Sequence, residues 1–530
     1  MNGWRDIAER WREAEPDDDI RRELDDALTD ANAYEALFAG HLEFGTAGLR
    51  AAIGPGPLRM NRLVVRQAAA GLADYLLQHV ADAAHRGVVI GYDARRKSDL
   101  FAADTAAVLA ARGIRAHLFP SMVPTPLLAW SITELDAAAG VMVTASHNPP
   151  ADNGYKVYLE TGAQIVSPVD ADISACIRAV DPLNVPLAPP ESPLIELVDQ
   201  GVRHRYLERA PQVRYVPNVN DVVVAYTALH GVGGATLVDA FAAAGLPAPH
   251  IVTEQFDPDG SFPTVSFPNP EELGAMDAVI ALAESVGADL AIANDPDADR
   301  LGAAIPTASG WRRLGGDEIG WLLADHILRH TEGDDRMVVT TVVSSSMLSS
   351  IAKSHRVFCE ETFTGFKWIG RTVLEHPDRR FVFGYEQALG YLVAQQPLDK
   401  DGITAAILLA EVAACARADG GLERRLERLA EQFGQHRIAE QSIRMTPANG
   451  QAVVEQLRQH PPHDIAGVAV ASVTEFPKAG LLRLVLADGT RLQIRPSGTE
   501  PKVKLYGESV GKDPAHDLDE LMRLVETLAE

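Results

Sequence analysis

The chain has 530 residues, more than a single hydrophobic core accommodates, so several domains are expected. Its 48 lysines and arginines stand against 73 aspartates and glutamates, and the net charge of −25 argues against a nucleic-acid partner and against binding to an anionic membrane surface. No apolar run is long enough to span a bilayer, the charged N-terminus has no apolar signal core, and the three cysteines have no metal-ligand spacing, so we expect a cytoplasmic protein.

The first part of the chain alternates between strand and helix patterns. We predict a buried strand over Val88–Tyr92, a helix over residues 99–112, a strand over residues 115–119, and another helix after the turn at residues 124–126. This alternation favours parallel strands covered by helices on both faces. The proline-rich residues 181–193 indicate a surface loop.

A buried strand over residues 137–143 leads into a loop that contains Ser146. Residues 141–156 read VMVTASHNPPADNGYK, in which small and polar residues follow the apolar run and two prolines end it. Ser146 therefore lies in a strand-end loop with His147 and Lys156 nearby, a position suited to nucleophilic or phosphate-carrying chemistry. An ordinary Ser/Asn/Pro turn explains this segment equally well when it is considered alone.

A second apolar strand, which begins at Leu290, ends in Asp295, Asp297 and Asp299. Carboxylates at this density repel one another unless a cation lies between them, and hard oxygen ligands suit Mg²⁺ or Ca²⁺. The spacing is that of the start of an EF-hand, but no flanking helix pair with the loop's glycine and terminal glutamate follows. A solvated acidic turn is the alternative, and the rigid strand before these residues favours the metal site.

The alternation continues beyond this loop. We predict a helix over residues 316–329, a strand over residues 337–343 and a charged helix over residues 422–433. From about residue 441 the pattern changes to alternating strands such as Leu481–Leu486, which predicts a smaller α+β domain.

Two further segments carry polar groups that bind ligands. Glu386 lies between two glycines in FGYEQALGY, a weak indication by itself because a glutamate in such a turn is common. The segment RPSGTEPKVKLY at residues 495–506 offers a guanidinium, hydroxyls, a glycine amide and lysines, the groups that bind phosphate. A strand–turn–strand with charged edges is the alternative for this segment.

Taken together and in this order, the segments resemble the α-D-phosphohexomutase superfamily, whose enzymes move a phosphate between two positions on one sugar. The similarity extends from about Phe44 to Tyr506 and includes GTAGLR at residues 45–50. Within the superfamily, the chain is most similar to the branch of phosphoglucomutase-2-like enzymes and phosphopentomutases. The segments that carry this similarity are GTAGLRAAIGPGPLRM, TGFKWI and YEQALGY.

The resemblance implies an α/β fold of three similar mixed α/β sheet domains and a smaller C-terminal α+β domain around a central cleft. Each domain would contribute one loop, in the order serine loop, metal loop, sugar loop and phosphate loop. We place the domains at residues 1–212, 213–313, 314–437 and 438–530.

The resemblance also implies a mechanism in which a phosphoserine at Ser146 forms a sugar bisphosphate that reorients and returns its other phosphate. Mg²⁺ would be held by the serine phosphate and by Asp295, Asp297 and Asp299, with a sugar bisphosphate as the activator. The implied catalytic residues are Ser146, Arg50, Lys156 and Lys367. The implied substrate-binding residues are His147, Arg300, Glu386, Arg495, Ser497, Gly498, Thr499 and Lys504.

The proton-transfer roles stay open at this point. Lys156 is either a proton carrier or part of a structural ion pair, and Lys367 is either a base or a phosphate ligand. His147 is either a base beside Ser146 or a hydrogen-bonding partner within its own loop. In so acidic a protein a phosphorylated substrate needs a local cationic pocket, and we expect it to be formed by Arg50, Arg95, Lys156, Lys367, Arg495 and Lys504.

The expected reaction interconverts the 1-phosphate and 6-phosphate of glucose, mannose or both, and a phosphopentomutase acting on ribose phosphates is the alternative. Ala388 stands where many hexose-specific members have a serine, so the loop lacks a hydroxyl that could distinguish sugar epimers. Rivals from other classes are a Mg²⁺-dependent sugar phosphatase and a catalytically silent sugar-phosphate-binding protein. We expect a phosphorylated monosaccharide as substrate, a monomer or homodimer, and no nucleic-acid or membrane partner.

Overall fold

The computed structural model describes residues 2–29, 36–45, 48–496 and 502–529, which form four β-sheets with packed helices. None of the helices in these ranges is both long and apolar enough to cross a membrane. Three sheets contain parallel and antiparallel strands, and the fourth is antiparallel throughout. The predicted α/β fold with a distinct C-terminal α+β region is therefore confirmed.

The first sheet has six strands in the order β1-β5-β4-β2-β3-β6. These strands are β1 (Leu49–Ala52), β2 (Val88–Tyr92), β3 (Ala116–Leu118), β4 (Ala139–Val143), β5 (Asp152–Leu159) and β6 (Ile195–Leu197). The helices of this part are α1 (Asn2–Ala14), α2 (Asp18–Ala27), α3 (Arg62–His79), α4 (Ala83–Arg86), α5 (Ser98–Ala111), α6 (Thr125–Glu134), α7 (Val169–Ala179) and α8 (Gln200–Arg209). Strands β4, β2, β3 and β6 are parallel, whereas β5 returns antiparallel beside β4.

The second and third sheets repeat this plan with fewer strands. The second, in the order β11-β10-β9-β7-β8, contains β7 (Val224–Thr227), β8 (His250–Ile251), β9 (Leu290–Asn294), β10 (Leu301–Thr307) and β11 (Gly310–Arg313), with helices α9 (Gly234–Ala243) and α10 (Asp277–Val286). The third, in the order β13-β12-β14-β15, contains β12 (Arg336–Thr341), β13 (Phe358–Thr362), β14 (Arg380–Glu386) and β15 (Gly390–Leu392). Its helices are α11 (Gly316–His330), α12 (Met347–Ser354), α13 (Phe366–Glu375), α14 (Gly402–Arg417) and α15 (Gly421–Phe433).

The fourth sheet has six strands in the order β16-β21-β20-β19-β18-β17. They are β16 (His436–Arg444), β17 (Asp464–Ile465), β18 (Val468–Phe476), β19 (Leu481–Leu486), β20 (Arg491–Pro496) and β21 (Lys502–Val510), and the helices α16 (Pro447–Gln459) and α17 (Ala515–Ala529) pack on them. This sheet has a hydrophobic core of its own, whereas one continuous core joins residues of the first three sheets. A small apolar contact between Val342, Val343, Leu481 and Tyr506 connects the fourth sheet to the third.

The same connection recurs at the functional loops. In each of the first three sheets, a buried strand (β4, β9 or β14) leads into the serine, metal or sugar loop, and the chain returns in an antiparallel neighbour. In the fourth sheet the phosphate loop joins β20 to β21 in the same way. Because the buried strands are fixed in their sheets, the loops that follow them have defined starting points. The domain boundaries near residues 212, 313 and 437 stay predictions.

Candidate active site

Ser146 lies in the loop between β4 and β5 with its backbone in the left-handed region, at a φ of 53°. Its N–H donates to Thr144 Oγ1 at 2.8 Å, and its hydroxyl donates to Asp295 Oδ2 at 2.8 Å. His147 Nδ1 lies 3.3 Å from Ser146 Oγ. The left-handed region is unfavourable for a serine, so tertiary contacts must hold the loop in this conformation.

Asp295, Asp297 and Asp299 form a compact buried cluster directly after β9. One carboxylate oxygen from each lies within 4.8 Å of the others, and each residue is at most 1% exposed. Within the described part of the chain, Asp297 Oδ1 and Asp299 Oδ1 are buried without a hydrogen-bond partner. Buried carboxylate oxygens of this kind are the ligands that a hard cation takes, so the cluster fits a divalent metal ion.

The three carboxyl groups differ in acidity. Burial, and then the charges of Asp297 and Asp299, raise the pKa of Asp295 well above its usual value. Burial acts in the same direction on Asp297, but the ammonium group of Lys156 outweighs it and lowers the pKa of Asp297. Burial and Asp297 raise the pKa of Asp299, yet Lys156 and Lys400 shift it downward overall. A bound dication would favour the ionised form of all three carboxyl groups.

Two lysines approach the aspartate cluster. Lys156, on β5, donates from Nζ to Asp297 Oδ2 at 2.6 Å and to Asp299 Oδ2 at 2.8 Å. Lys400 Nζ lies 3.2 Å from both Asp299 Oδ2 and Asp399 Oδ1. Sequence reasoning missed Lys400, and the only local signal was its place between two aspartates just before the start of α14.

Thr125 is a second residue that the sequence did not single out. Its hydroxyl donates to Asp297 Oδ2 at 2.6 Å, and its backbone N–H donates to Asp297 O at 2.9 Å. Thr125 begins α6, so an element of the first sheet's domain also orients this carboxylate.

The sugar-loop residues face the same cluster from the third sheet. Glu386 ends β14, is 7% exposed, and has its pKa raised by burial against the opposing charges of Lys400 and Arg300. Arg300 is within 3.6 Å of Glu271 Oε2, and its backbone forms an antiparallel bridge with Gly390. The metal loop and the sugar loop therefore contact each other directly.

Lys367, in the first turn of α13, has an unusually acidic ammonium group. Burial lowers its pKa to about 8, assisted by the positive charges of Arg495 and Lys400 and opposed by Asp170 and Glu386. A side chain with such a pKa can gain or lose a proton close to neutral pH.

Arg50 contacts the serine loop, to which His147 belongs, and its charge acts on His147. Arg50 Nη1 donates to Asn148 Oδ1 at 3.0 Å. Burial lowers the pKa of His147 well below its usual value, with the charges of Arg300 and Arg50 acting in the same direction, so its imidazole is neutral. Arg95, which we expected in a cationic substrate pocket, is instead directed at the backbone of the serine loop and has a fully buried side chain.

The phosphate-loop residues fall into two groups. Ser497, Gly498 and Thr499 lie outside the described residues. Arg495 and Lys504 are directly opposite each other on β20 and β21, and Lys504 Nζ is 2.6 Å from Glu440 Oε1.

Comparison with known families identifies the architecture along most of the chain. Family models described as Phosphoglucomutase/phosphomannomutase alpha/beta/alpha domains I, II and III match residues 41–183, 204–310 and 315–433. A fourth, described as the C-terminal domain of the same family, matches residues 451–525.

Curated relatives and solved structures agree with this match. A Haemophilus influenzae protein named "Probable phosphomannomutase" is 44% identical over 466 residues, covering 86% of this chain and 94% of the relative. A Homo sapiens phosphopentomutase is 34% identical over 551 residues, covering 93% and 89%. The crystal structure of a Phosphoglucomutase/phosphomannomutase family protein from Burkholderia thailandensis shares the fold, with a TM-score of 0.72 at 21% identity over 92% of this chain and 97% of that one.

Proposed function

The chain belongs to the phosphoglucomutase/phosphomannomutase family and is an isomerase of that type, and from this premise we propose that it interconverts the 1-phosphate and 6-phosphate of glucose, mannose or both through a phosphoserine at Ser146. The observation that supports this most directly is the hydrogen bond from Ser146 Oγ to Asp295 Oδ2 at 2.8 Å, within a buried carboxylate cluster. A serine beside a cation-binding cluster is suited to carry a phosphoryl group.

An enzyme-held phosphate solves a geometric problem of the reaction. Two oxygens of one sugar cannot both be in line with the same phosphorus atom, so the phosphate cannot move directly between them. In the proposed cycle, phosphorylated Ser146 gives its phosphoryl group to the free hydroxyl of the substrate. The resulting sugar bisphosphate reorients in the cleft and returns its other phosphate to Ser146.

Mg²⁺ bound by Asp295, Asp297, Asp299 and the serine phosphate would neutralise the charge that develops on the transferred group. The chain's own residues would orient the other groups. Lys156 holds Asp297 and Asp299 in place, and Glu386 would accept hydrogen bonds from sugar hydroxyls. Arg495 and the loop of Ser497, Gly498 and Thr499 would hold the phosphate that is not reacting, so that its binding energy is used for orientation.

The identity of the sugar is open to direct measurement. A relative named as a probable phosphomannomutase is 44% identical, and one named as a phosphopentomutase is 34% identical. Ala388 lacks a hydroxyl that could distinguish epimers. Purified protein, Mg²⁺ and a trace of the matching sugar bisphosphate would be assayed with glucose, mannose and ribose 1-phosphates, following isomerised product and free phosphate. We expect isomerisation, with the ratio of kcat/KM values naming the sugar.

Two results of this assay would change the proposal. A clear preference for ribose 1-phosphate would make the protein a phosphopentomutase by the same mechanism. Free phosphate without isomerisation would favour the Mg²⁺-dependent phosphatase and would leave Ser146 without its proposed role.

A further inference from the structure

We propose that Arg95 is a positioning residue for Ser146, and that the ring of Phe262, which comes from the second sheet's domain, completes its binding site. This inference rests on the proposed function, because it concerns how the phosphate-carrying serine is aimed. It assigns a role to a buried contact between the domain that carries the serine and the domain that carries the aspartates.

The guanidinium of Arg95 binds the backbone of the whole serine loop. It donates to the carbonyl oxygens of Ser146 at 2.6 Å, Asn148 at 2.5 Å, Pro149 at 2.7 Å and Asp152 at 3.1 Å. Four carbonyl dipoles that point at one position repel one another unless a cation with several donors lies between them. Arg95 therefore stabilises the conformation of a loop that has no regular secondary structure.

One of these hydrogen bonds holds Ser146, the residue of the loop with a left-handed backbone. Ser146 has a φ of 53°, and its carbonyl oxygen accepts one of the shortest of the four hydrogen bonds. Its N–H is fixed on the other side by Thr144 Oγ1. With both backbone groups bound, the direction of the Ser146 Cα–Cβ bond is fixed, and the hydrogen bond to Asp295 then selects the side-chain rotamer.

Arg95 is itself held rigidly from within the first sheet's domain. Its backbone N–H donates to Asp93 Oδ1 at 3.0 Å, its Nε lies 3.4 Å from Asp93 Oδ2, and Ser98 Oγ also donates to Asp93 at 2.7 Å. Asp93 directly follows β2, a strand in the middle of the sheet. The side chain of Arg95 is 0% exposed, so it has no access to a sugar phosphate in the cleft.

The second sheet's domain covers the remaining face of the guanidinium. The ring centroid of Phe262 lies 4.9 Å from the central carbon of the Arg95 guanidinium, and Phe262 is 2% exposed. A Cβ atom on Gly260 would lie 2.3 Å from Ala94 O and 2.6 Å from Arg95 Cα, so the two backbones approach as closely as a glycine permits. The domain that supplies Asp295 to the Ser146 hydroxyl thus also closes the site that fixes the Ser146 carbonyl.

The consequence is a choice between two acceptors. A correctly aimed phosphoserine transfers its phosphoryl group to the sugar hydroxyl. A phosphoserine that points in the wrong direction is more readily hydrolysed. In that reaction the serine P–O bond breaks, a P–O bond to the water oxygen forms, the serine oxygen takes a proton from water, and inorganic phosphate is released. The ratio of isomerised product to released phosphate therefore reports the aim of the serine, and it does not depend on how many molecules are folded.

The test compares Arg95→Lys and Phe262→Leu with the wild-type enzyme. Lysine keeps the charge but lacks the planar fork that spans several carbonyls. For Arg95→Lys we expect kcat to fall by about 100-fold, as a displacement of about 1 Å in a reacting group does, with a nearly unchanged KM and more phosphate released per isomerisation. Phe262→Leu should also lower kcat and increase the phosphate released per isomerisation, each by a smaller factor.

Matched controls separate positioning from loss of stability. Arg62→Lys weakens a two-pronged pair with Asp104 in the same domain, and Phe241→Leu removes a ring from the core around the second sheet. Both should lower the unfolding temperature without altering the product ratio. An unaltered kcat and product ratio in Arg95→Lys, or an equal change of the ratio in the controls, would overturn the inference. Wild-type protein that does not isomerise any of the sugars would overturn the proposed function and this inference with it.

Discussion

The part of the site formed by the serine and metal loops and the part formed by the third and fourth sheets are built differently. Ser146, Lys156 and the three aspartates are buried and are joined by hydrogen bonds across two domains. Arg495 and Lys504, by contrast, lie on a sheet that has its own core and meets the third sheet through a separate apolar cluster. We expect the first part to carry out the chemistry and the second to admit and reorient a substrate.

Polar contacts accompany the apolar contact between the third and fourth sheets. Arg483 Nη2 donates to Val342 O at 2.7 Å, and Ser345 Oγ donates to Glu508 Oε1 at 2.6 Å. Within the fourth sheet, Glu508 also pairs with Arg491 at 2.9 Å.

The largest effect is expected from removing the hydroxyl of Ser146, the proposed phosphate carrier. Ser146→Ala should abolish isomerisation, with a loss on the order of 10⁶-fold, as when a covalent nucleophile is deleted. Rates would be measured with a sugar 1-phosphate and its bisphosphate. Ser131→Ala, which removes another buried hydroxyl of the same domain, is the control. Isomerisation that survives in Ser146→Ala would exclude the phosphoserine mechanism.

The next largest effect is expected from a change in the cluster of three aspartates. Mg²⁺ at 100 times its Kd should raise the free energy of unfolding of the wild-type protein by about 2.7 kcal/mol. Asp297→Asn removes one carboxylate charge, so this stabilisation should largely disappear, along with most of the activity. Denaturant unfolding with Mg²⁺ and with EDTA measures it. The same Mg²⁺ effect in wild type and variant would place the ion elsewhere.

A smaller effect is expected in the pH dependence of kcat/KM, which tests the part of the site formed by the third and fourth sheets. Burial lowers the pKa of Lys367, in this part, to about 8. If its ammonium form binds phosphate, kcat/KM falls about tenfold for each pH unit above 8. Lys367→Arg keeps the charge, so the fall in kcat/KM above pH 8 should disappear while activity is retained. Lys353→Arg, on the exposed surface, is the control and should leave the fall unchanged. A rise in kcat/KM through pH 8 that is lost in Lys367→Arg would instead identify Lys367 as a base.

The smallest effect is expected from restoring one hydroxyl in the sugar loop. Ala388→Ser should increase discrimination between glucose and mannose phosphates by up to about fivefold, since one hydrogen bond contributes about 1 kcal/mol. The measurement is the ratio of kcat/KM values for the two sugars, compared with Ala394→Ser outside this loop as the control. An unchanged ratio would mean that residue 388 does not contact the hydroxyl that differs.

Much of the fold followed from local patterns. The strand Val88–Tyr92 and the strand Leu481–Leu486 have the predicted limits, and the helix predicted over residues 422–433 spans Gly421–Phe433. These elements are continuous runs of buried or amphipathic residues, for which the side-chain period decides the structure. What the alternation did not reveal is that β5, β10 and β15 return antiparallel, since hairpin pairing depends on the partner strand.

For the site, the sequence by itself determined the loops and their chemical groups, because a serine after a buried strand and three alternating aspartates can be recognised within a few residues of chain. Only the tertiary structure decided which groups meet. Lys400 and Thr125 approach the aspartates from distant parts of the chain, and Arg95 binds the serine loop's backbone rather than a phosphate. Such contacts are set by how the sheets pack on one another, and no local pattern in the sequence records that packing.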